Sequence, residues 1–204
     1  YSSQAGSTLL LWTLLYTMQI YTDFDGYSNM AIGVSKILGF NITRNFNHPL
    51  LARNIAEFWR NWHISLTSWV TDYVFMPLNI AFRNMANWGV MLAVTINIVL
   101  IGLWHGANWT FGLFGFYHAM LFMPLVLSGS FGKNKKLRPN DHNLPKLKDF
   151  SKMLLNFFLV SIGFVFFQAG SVTDAFSFFG GILSLSLFSM PTLAVKKLTL
   201  LLIL

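Results

Sequence analysis

Two long apolar runs joined by a short polar turn limit most strongly what this chain can fold into. Residues 89–103 and 111–127 contain no aspartate, glutamate, lysine or arginine, and each is long enough for most of a bilayer crossing. Further apolar runs occupy residues 8–21, 153–169 and 175–188. Because a backbone in lipid must satisfy its own hydrogen bonds, such runs favour helices. We therefore predict an all-α fold, a polytopic transmembrane helical bundle formed by residues 1–204 as one domain.

The composition supports a membrane protein and excludes chemistry that depends on cysteine. Charged residues make up 10% of the chain, against about 25% in an ordinary soluble domain. Cysteine is absent, which excludes disulfides and an acyl-cysteine intermediate within these residues. The chain begins without methionine and ends inside an apolar run. We therefore expect it to be a piece of a longer protein that lacks N-terminal helices and the extreme C-terminus.

The chain has a net charge of +7, and its basic residues lie mainly in short loops between the apolar runs. Such basic loops are typical of the cytoplasmic side of a membrane, so we expect membrane lipid and no nucleic acid as a partner. The loop at residues 132–152 and the pair Lys196–Lys197 are then on one side. Residues 153–169 and 175–188 are predicted to cross between them, and the turn after residue 104 faces the opposite side.

Residues 51–69 have a different pattern, in which apolar side chains recur at helical spacing and charged ones occupy another face. We predict one amphipathic helix that lies in the membrane interface or enters the protein as a re-entrant segment. Pro77 is expected to end this helical region. His63 borders the aromatic face, where it is either a packing histidine or a polar group in a buried cavity.

His105 lies in the turn between the two long apolar runs. A histidine at such a junction loses hydration, and desolvation lowers its pKa and favours the neutral ring. Neutral imidazole can take a proton from a hydroxyl group, and Gly102 and Gly106 would let a ligand approach it closely. The alternative is an interfacial histidine beside two membrane-belt tryptophans, Trp104 and Trp109.

Other polar residues at the ends or inside the apolar runs are further candidates. Asp23 and Asp25 follow residues 8–21, and they either cap a helix or line a cavity. Without a third ligand they make a poor metal site, so no metal is expected. Asn97 lies eight residues before His105 and either orients its ring or bonds a neighbouring helix. His118 is either a packing residue or part of a cavity lining.

Four blocks of sequence resemble the membrane-bound O-acyltransferase family, and most closely its bacterial alginate O-acetylation branch. The blocks are residues 23–33 (DFDGYSNMAIG), 45–47 (NFN), 57–65 (EFWRNWHIS) and 102–109 (GLWHGANW). The resemblance implies that His105 is the catalytic histidine and that His63 supports it. It also implies many helices around a central tunnel, of which this chain would be the catalytic half.

The resemblance further implies an O-acyltransferase of the bacterial inner membrane with no bound cofactor. Its donor would be acetyl-CoA from the cytoplasm, and its acceptor an extracytoplasmic polysaccharide or a secreted acetyltransferase partner. Possible oxyanion donors are His63, Asn97, Asn108 and backbone amides at Gly106. The residues expected to bind substrate or line its cavity are Asn97, Asn108, Trp104, Asp23 and Asp25.

Two other function classes remain open from the sequence. A transporter could use His63, His105 and His118 as a buried proton relay, and it would show flux driven by a pH gradient. A non-catalytic export scaffold would tolerate the loss of His105 without any loss of polysaccharide acetylation.

Overall fold

The structure is a computed structural model that describes residues 4–132, 146–189 and Pro191, and their regular elements are all helical. The α-helices in chain order are α1 (Gly6–Ile37), α2 (Ile55–Asn61), α3 (Ile64–Val70), α4 (Met76–Ala81), α5 (Ala86–Trp104), α6 (Trp109–Leu127), α7 (Leu147–Gln168) and α8 (Val172–Ile182). A π-helical segment, Thr71–Phe75, links α3 to α4, and short 3₁₀ turns occupy Pro49–Leu51, Arg83–Met85 and Leu185–Phe188. The predicted all-α fold is confirmed.

Three of the described helices are long and apolar enough to cross a membrane. They are Arg83–Trp104, Trp109–Leu127 and Leu147–Gln168, with mean hydropathies of 1.9, 1.6 and 1.9. The prediction of a polytopic membrane protein is therefore confirmed. The helix that contains residues 8–21, α1, is not among them.

The crossing predicted for residues 175–188 is wrong. The helix there, α8, has 11 residues and rises about 16 Å, roughly half of the hydrocarbon thickness. Of the basic loop at residues 132–152, the part from 133 to 145 lies outside the described residues, as do Lys196 and Lys197. The end of that predicted loop is helical, because α7 begins at Leu147.

The chain forms two compact units, the first of which comprises the described parts of Tyr1–Ile42, Asn108–Thr110 and Ser161–Leu204. Here α1 packs against α8, with Leu9, Val165 and Phe178 in a buried apolar cluster. The backbone N–H of Gly6 donates to Ser186 Oγ at 2.8 Å. Because α1 runs unbroken through both aspartates that follow residue 21, the interpretation that they cap a helix is wrong.

The second unit comprises Thr43–Ala107 and Phe111–Val160, and it contains a close contact between α5 and α6. A Cβ placed on Gly102 would lie 2.2 Å from the carbonyl oxygen of Phe111. A Cβ on Gly115 would lie 2.6 Å from the carbonyl oxygen of Ile98. The two helices therefore meet backbone to backbone, as small residues allow in membrane proteins.

The N-terminus of α2 is fixed by a reciprocal cap. Asn54 Oδ1 accepts the backbone N–H of Glu57 at 2.9 Å, and Glu57 Oε2 accepts the backbone N–H of Arg53 at 2.7 Å. The side chain of Asn54 thus satisfies a donor that the helix leaves unpaired, and that of Glu57 holds the residue before the cap. Glu57 also forms an ion pair with Arg53 Nη2 at 2.9 Å. The glutamate of the third sequence block therefore has a structural role at the start of α2.

The single amphipathic helix predicted for residues 51–69 is wrong, because the chain breaks between α2 and α3. Trp62 is extended (φ −107°, ψ 125°), and His63 has the left-handed conformation (φ 46°, ψ 55°), which cannot continue a right-handed helix. Pro77 does not end the helical region either. It lies in the first turn of α4, where a missing N–H is tolerated, directly after the π-helical segment.

Candidate active site

His105 occupies the C-terminal cap of the membrane-spanning helix α5. Its backbone N–H donates to the carbonyl oxygen of Gly102 at 2.8 Å, and that of Gly106 donates to Leu103 at 3.2 Å. The imidazole packs edge-on against Trp104, with 5.1 Å between ring centroids, and tilted against Phe111 at 6.2 Å. The residue keeps an exposed face. The backbone thus ends the helix, and the ring is left accessible to a reactant.

His63 forms the N-cap of α3. Its Nδ1 accepts the backbone N–H of Leu66 at 3.4 Å, so the neutral ring carries its proton on Nε2. The ring lies edge-on to Trp104, with centroids 5.9 Å apart. This half-buried histidine therefore presents Nδ1 to the start of α3 through a long hydrogen bond, and Nε2–H is its donor.

The structure brings His63, Trp104 and His105 together, since Trp104 contacts both imidazoles. Desolvation among these rings and the proximity of His63 lower the pKa of His105 to about 4, although one face of it is exposed. Desolvation likewise lowers the pKa of His63, and a hydrogen bond with its own backbone opposes this effect. Both rings are consequently neutral at pH 7, the state that accepts a proton.

Asn97 lies in α5 and is 6% exposed. Its Oδ1 has no hydrogen-bond partner among the described residues, which is costly for a buried polar atom. The side chain lines a cavity of about 440 Å³ within the second unit. Other residues around this cavity are Trp59, Arg60, Thr67, Ser68, Thr71, Asp72, Ile101 and Phe122. Asn97 is thus a polar group on the wall of a mostly apolar chamber.

The polar residues of this cavity are not among the site residues predicted from the sequence. Thr67, Ser68, Thr71 and Asp72 line one side of it, on α3 and the π-helical segment. Their spacing of three and four residues is the signal that one helical face is polar. A π-helical turn widens a helix locally and occurs often at functional sites, so the segment that follows His63 belongs to the candidate site.

Asn108 forms its side-chain hydrogen bonds within the first unit. Its Nδ2 donates to the carbonyl oxygen of Gly170 at 3.0 Å, and its Oδ1 accepts the backbone N–H of Thr110 at 3.1 Å. Asp23 and Asp25 lie two residues apart in α1, a spacing at which helical side chains do not face each other. These three residues belong to the first unit, whereas His63 and His105 belong to the second.

His118 is fully buried in α6 and surrounded by aromatic rings. Its ring centroid lies 4.4 Å from that of Phe114, 5.5 Å from that of Trp59, 5.7 Å from that of Tyr117 and 6.3 Å from that of Phe58. These contacts join α2 to α6 and favour the packing role. Within residues 4–132 and 146–189, no three His, Cys, Asp or Glu side chains are grouped so that they could hold a metal ion.

The histidine pair and the four sequence blocks lie in a region that matches one protein family. Residues 3–131 match the model of the membrane-bound O-acyltransferase family, which is well over half of the chain. The chain belongs to this family. The predicted resemblance is thereby confirmed, and the His63–Trp104–His105 cluster lies inside the matched region.

Bacterial proteins that act on the cell envelope by name are similar over most of this chain. The "Probable alginate O-acetylase AlgI" of Pseudomonas aeruginosa is 35% identical over 193 residues, which is 93% of this chain and 34% of the relative. The peptidoglycan O-acetyltransferase of Helicobacter pylori is 33% identical over 85% of this chain and 31% of its own length. The teichoic acid D-alanyltransferase of Bacillus subtilis is 33% identical over 78% of this chain and 40% of its own length. The chain thus spans about a third of the length of the alginate relatives.

Proposed function

We propose that this chain is part of a bacterial inner-membrane O-acetyltransferase. It would move an acetyl group from cytoplasmic acetyl-CoA towards hydroxyl groups of an extracytoplasmic polysaccharide or of a secreted acetyltransferase partner. The observation that carries the proposal is the pair of neutral imidazoles that both pack against Trp104. The names of the relatives, which act on alginate, peptidoglycan and teichoic acid, support acyl transfer to a cell-envelope acceptor.

In this mechanism His105 is the general base. Its neutral imidazole accepts the proton of the acceptor hydroxyl while that oxygen attacks the thioester carbonyl carbon. The new C–O bond forms, the C–S bond breaks, and the departing thiolate takes the proton from the imidazolium. A positioned base of this kind contributes typically about 10²–10⁴ in rate.

We assign to His63 the stabilisation of the negative charge that develops on the thioester carbonyl oxygen. Its Nδ1 accepts a backbone N–H, which leaves Nε2–H as the donor that the neutral ring offers. A donor that is already oriented stabilises an oxyanion without reorganisation. Since the chain contains no cysteine, direct transfer from the thioester is preferred to an acyl-cysteine intermediate within these residues.

The cavity beside Asn97 is the proposed binding site for the donor. Its volume of about 440 Å³ falls in the usual range for ligand pockets. Arg60 at its wall supplies positive charge for an anionic coenzyme, and the unsatisfied Asn97 Oδ1 can accept an amide N–H. Asn97 is about 12 Å along α5 from His105, and in this proposal the donor extends along α5 from the cavity to the histidine pair.

A proton-relay transporter is less well supported than the acyltransferase. Its relay would need His118 to exchange protons with the other two histidines. His118 is instead fully buried and has Phe58, Trp59 and Phe114 around it.

Labelled acetyl-CoA tests the donor assignment. Inside-out membrane vesicles that contain the full-length protein are expected to transfer labelled acetyl groups from external acetyl-CoA to polymer on the luminal side. Right-side-out vesicles are the control, and they should transfer none because the donor cannot reach the cytoplasmic face. Equal transfer by the two orientations would contradict the assignment, as would transfer only from another acyl thioester.

The pH dependence of acyl transfer tests the protonation state of His105. Because the neutral form of His105 is active and its pKa is lowered to about 4, activity should be retained at pH 5.5. It should be lost only as the pH falls through about 4, whereas an unperturbed histidine would lose it near 6.5. The measurement is kcat/KM between pH 3.5 and 8, since this ratio reports groups of the free enzyme. Samples returned to pH 7 control for denaturation, and an acid limb near 6.5 would contradict the prediction.

A further inference from the structure

The left-handed conformation of His63 needs an explanation that the helix cap alone does not give. Among the described residues outside glycine, only His48, His63 and Ala86 have positive φ. A residue with a Cβ stays in this region only when its surroundings hold it there. The bond of His63 Nδ1 with Leu66 is long, at 3.4 Å, so it is a weak restraint.

Asn45 holds the chain on the C-terminal side of His63. Its carbonyl oxygen accepts the backbone N–H of Ile64 at 2.9 Å. Its side-chain Oδ1 accepts the hydroxyl of Ser65 at 2.6 Å and the backbone N–H of Ser65 at 3.3 Å. One asparagine therefore fixes the two residues that directly follow the histidine.

The next two residues hold the N-terminal side of His63. The backbone N–H of Asn47 donates to the carbonyl oxygen of Asn61 at 3.1 Å. Phe46 is 2% exposed and packs edge-on against Trp62, with 5.1 Å between the ring centroids. Residues 45–47, which we term the NFN clamp, are thus connected to the chain on both sides of His63.

We propose that Asn45 is a positioning residue that directs the imidazole of His63 towards Trp104 and His105 through the NFN clamp. This rests on the proposed acyltransferase function, in which His63 must face the reacting oxygen. The clamp also gives a role to the second sequence block, which contains no group that the reaction itself uses. Asn45 touches neither His105 nor Trp104 through any of these contacts, so its effect passes through His63.

The clamp separates positioning from folding in a way that experiments can use. The packing part is Phe46 against Trp62, and the backbone part is the pair of N–H donors at Asn47 and Ile64. The side chain of Asn45 adds the bonds to Ser65, which is exposed. Changing this side chain therefore leaves the buried packing and the backbone bonds in place, whereas it releases Ser65 from Asn45 Oδ1.

The test is a double-mutant cycle in the full-length protein, with acetyl transfer as the readout. Asn45→Ala should lower kcat about tenfold with KM for the donor unchanged, a smaller loss than the roughly 10²-fold that a 1 Å misplacement of a reacting group can cause. Asn45→Asp should restore most of the activity, because a carboxylate oxygen accepts the same two bonds. The double variant with His63→Ala should be no slower than His63→Ala alone, because coupled residues are not additive.

Ser65→Ala is the second variant, and it removes only the hydroxyl that bonds to Asn45. It should lower kcat in the same direction, whereas Ser128→Ala, an exposed serine bonded to the carbonyl oxygen of Leu125, should not. Unchanged kcat in Asn45→Ala, or additive losses in the cycle, would overturn the proposal. Failure of Asn45→Ala to accumulate in the membrane would also count against it, since the clamp would then serve folding. If His105→Ala keeps full activity, the proposed function itself fails, which is a distinct result.

Discussion

Replacing His105 with alanine is expected to reduce acyl transfer by about 10²–10⁴, the range that a positioned base contributes. In practice this would leave no detectable acetyl group on the polymer. The protein should still accumulate in the membrane, because α5 ends through backbone bonds at residues 105 and 106 that alanine can also make. The measurement is the acetate content of polymer purified from cells that carry only the variant.

His48→Asn is the matched control for this substitution. His48 is an exposed histidine with φ of 51°, a conformation that asparagine tolerates better than most residues. It makes no contact with the His63–Trp104–His105 cluster, so the acetate content of the polymer should stay at that of the unchanged protein. Normal acetate in the His105→Ala strain would contradict the assignment and would favour a non-catalytic scaffold.

The helices α5, α6 and α7 follow from the sequence because their cause is local. Each is a run of apolar residues long enough to span a bilayer, and in lipid such a run has few alternatives to a helix. The position of His105 at the end of α5 follows for the same reason, since the apolar run stops there. The crossing predicted for residues 175–188 failed because hydropathy alone does not show that α8 ends at Ile182.

The break at His63 could not be predicted in this way, because its cause is distant in the sequence. The periodicity of residues 51–69 suits one helix, and nothing in that stretch interrupts it. The restraint comes from Asn45, which bonds to Ser65 across 20 residues. Tertiary bonds of this kind override local propensity. The cavity beside Asn97 was also hidden, because α3 and the π-helical segment form its polar wall only after the break.

Substitution of Gly115 is expected to destabilise the folded protein strongly. In Gly115→Ala the new Cβ would lie 2.6 Å from the carbonyl oxygen of Ile98 and 2.7 Å from the Cα of Val99. Both contacts are with backbone, so a change of rotamer cannot relieve them and α5 must move away from α6. Overpacking of this kind costs typically about 1–3 kcal/mol of unfolding free energy, and Gly115→Val should cost more. The measurement is the midpoint of thermal unfolding in detergent, together with accumulation in the membrane.

Gly26→Ala separates this steric effect from the helix propensity of the new residue. Gly26 lies inside α1, and a Cβ there would meet no atom within 4 Å. Alanine in a helix interior is better than glycine by about 1 kcal/mol, so Gly26→Ala should leave the midpoint unchanged or raise it. The same chemical change should therefore have opposite signs at the two positions. Because α5 carries His105 at its end, displacement of this helix should also lower acyl transfer in Gly115→Ala. Equal midpoints for the two variants would mean that α5 and α6 do not meet backbone to backbone in the folded protein.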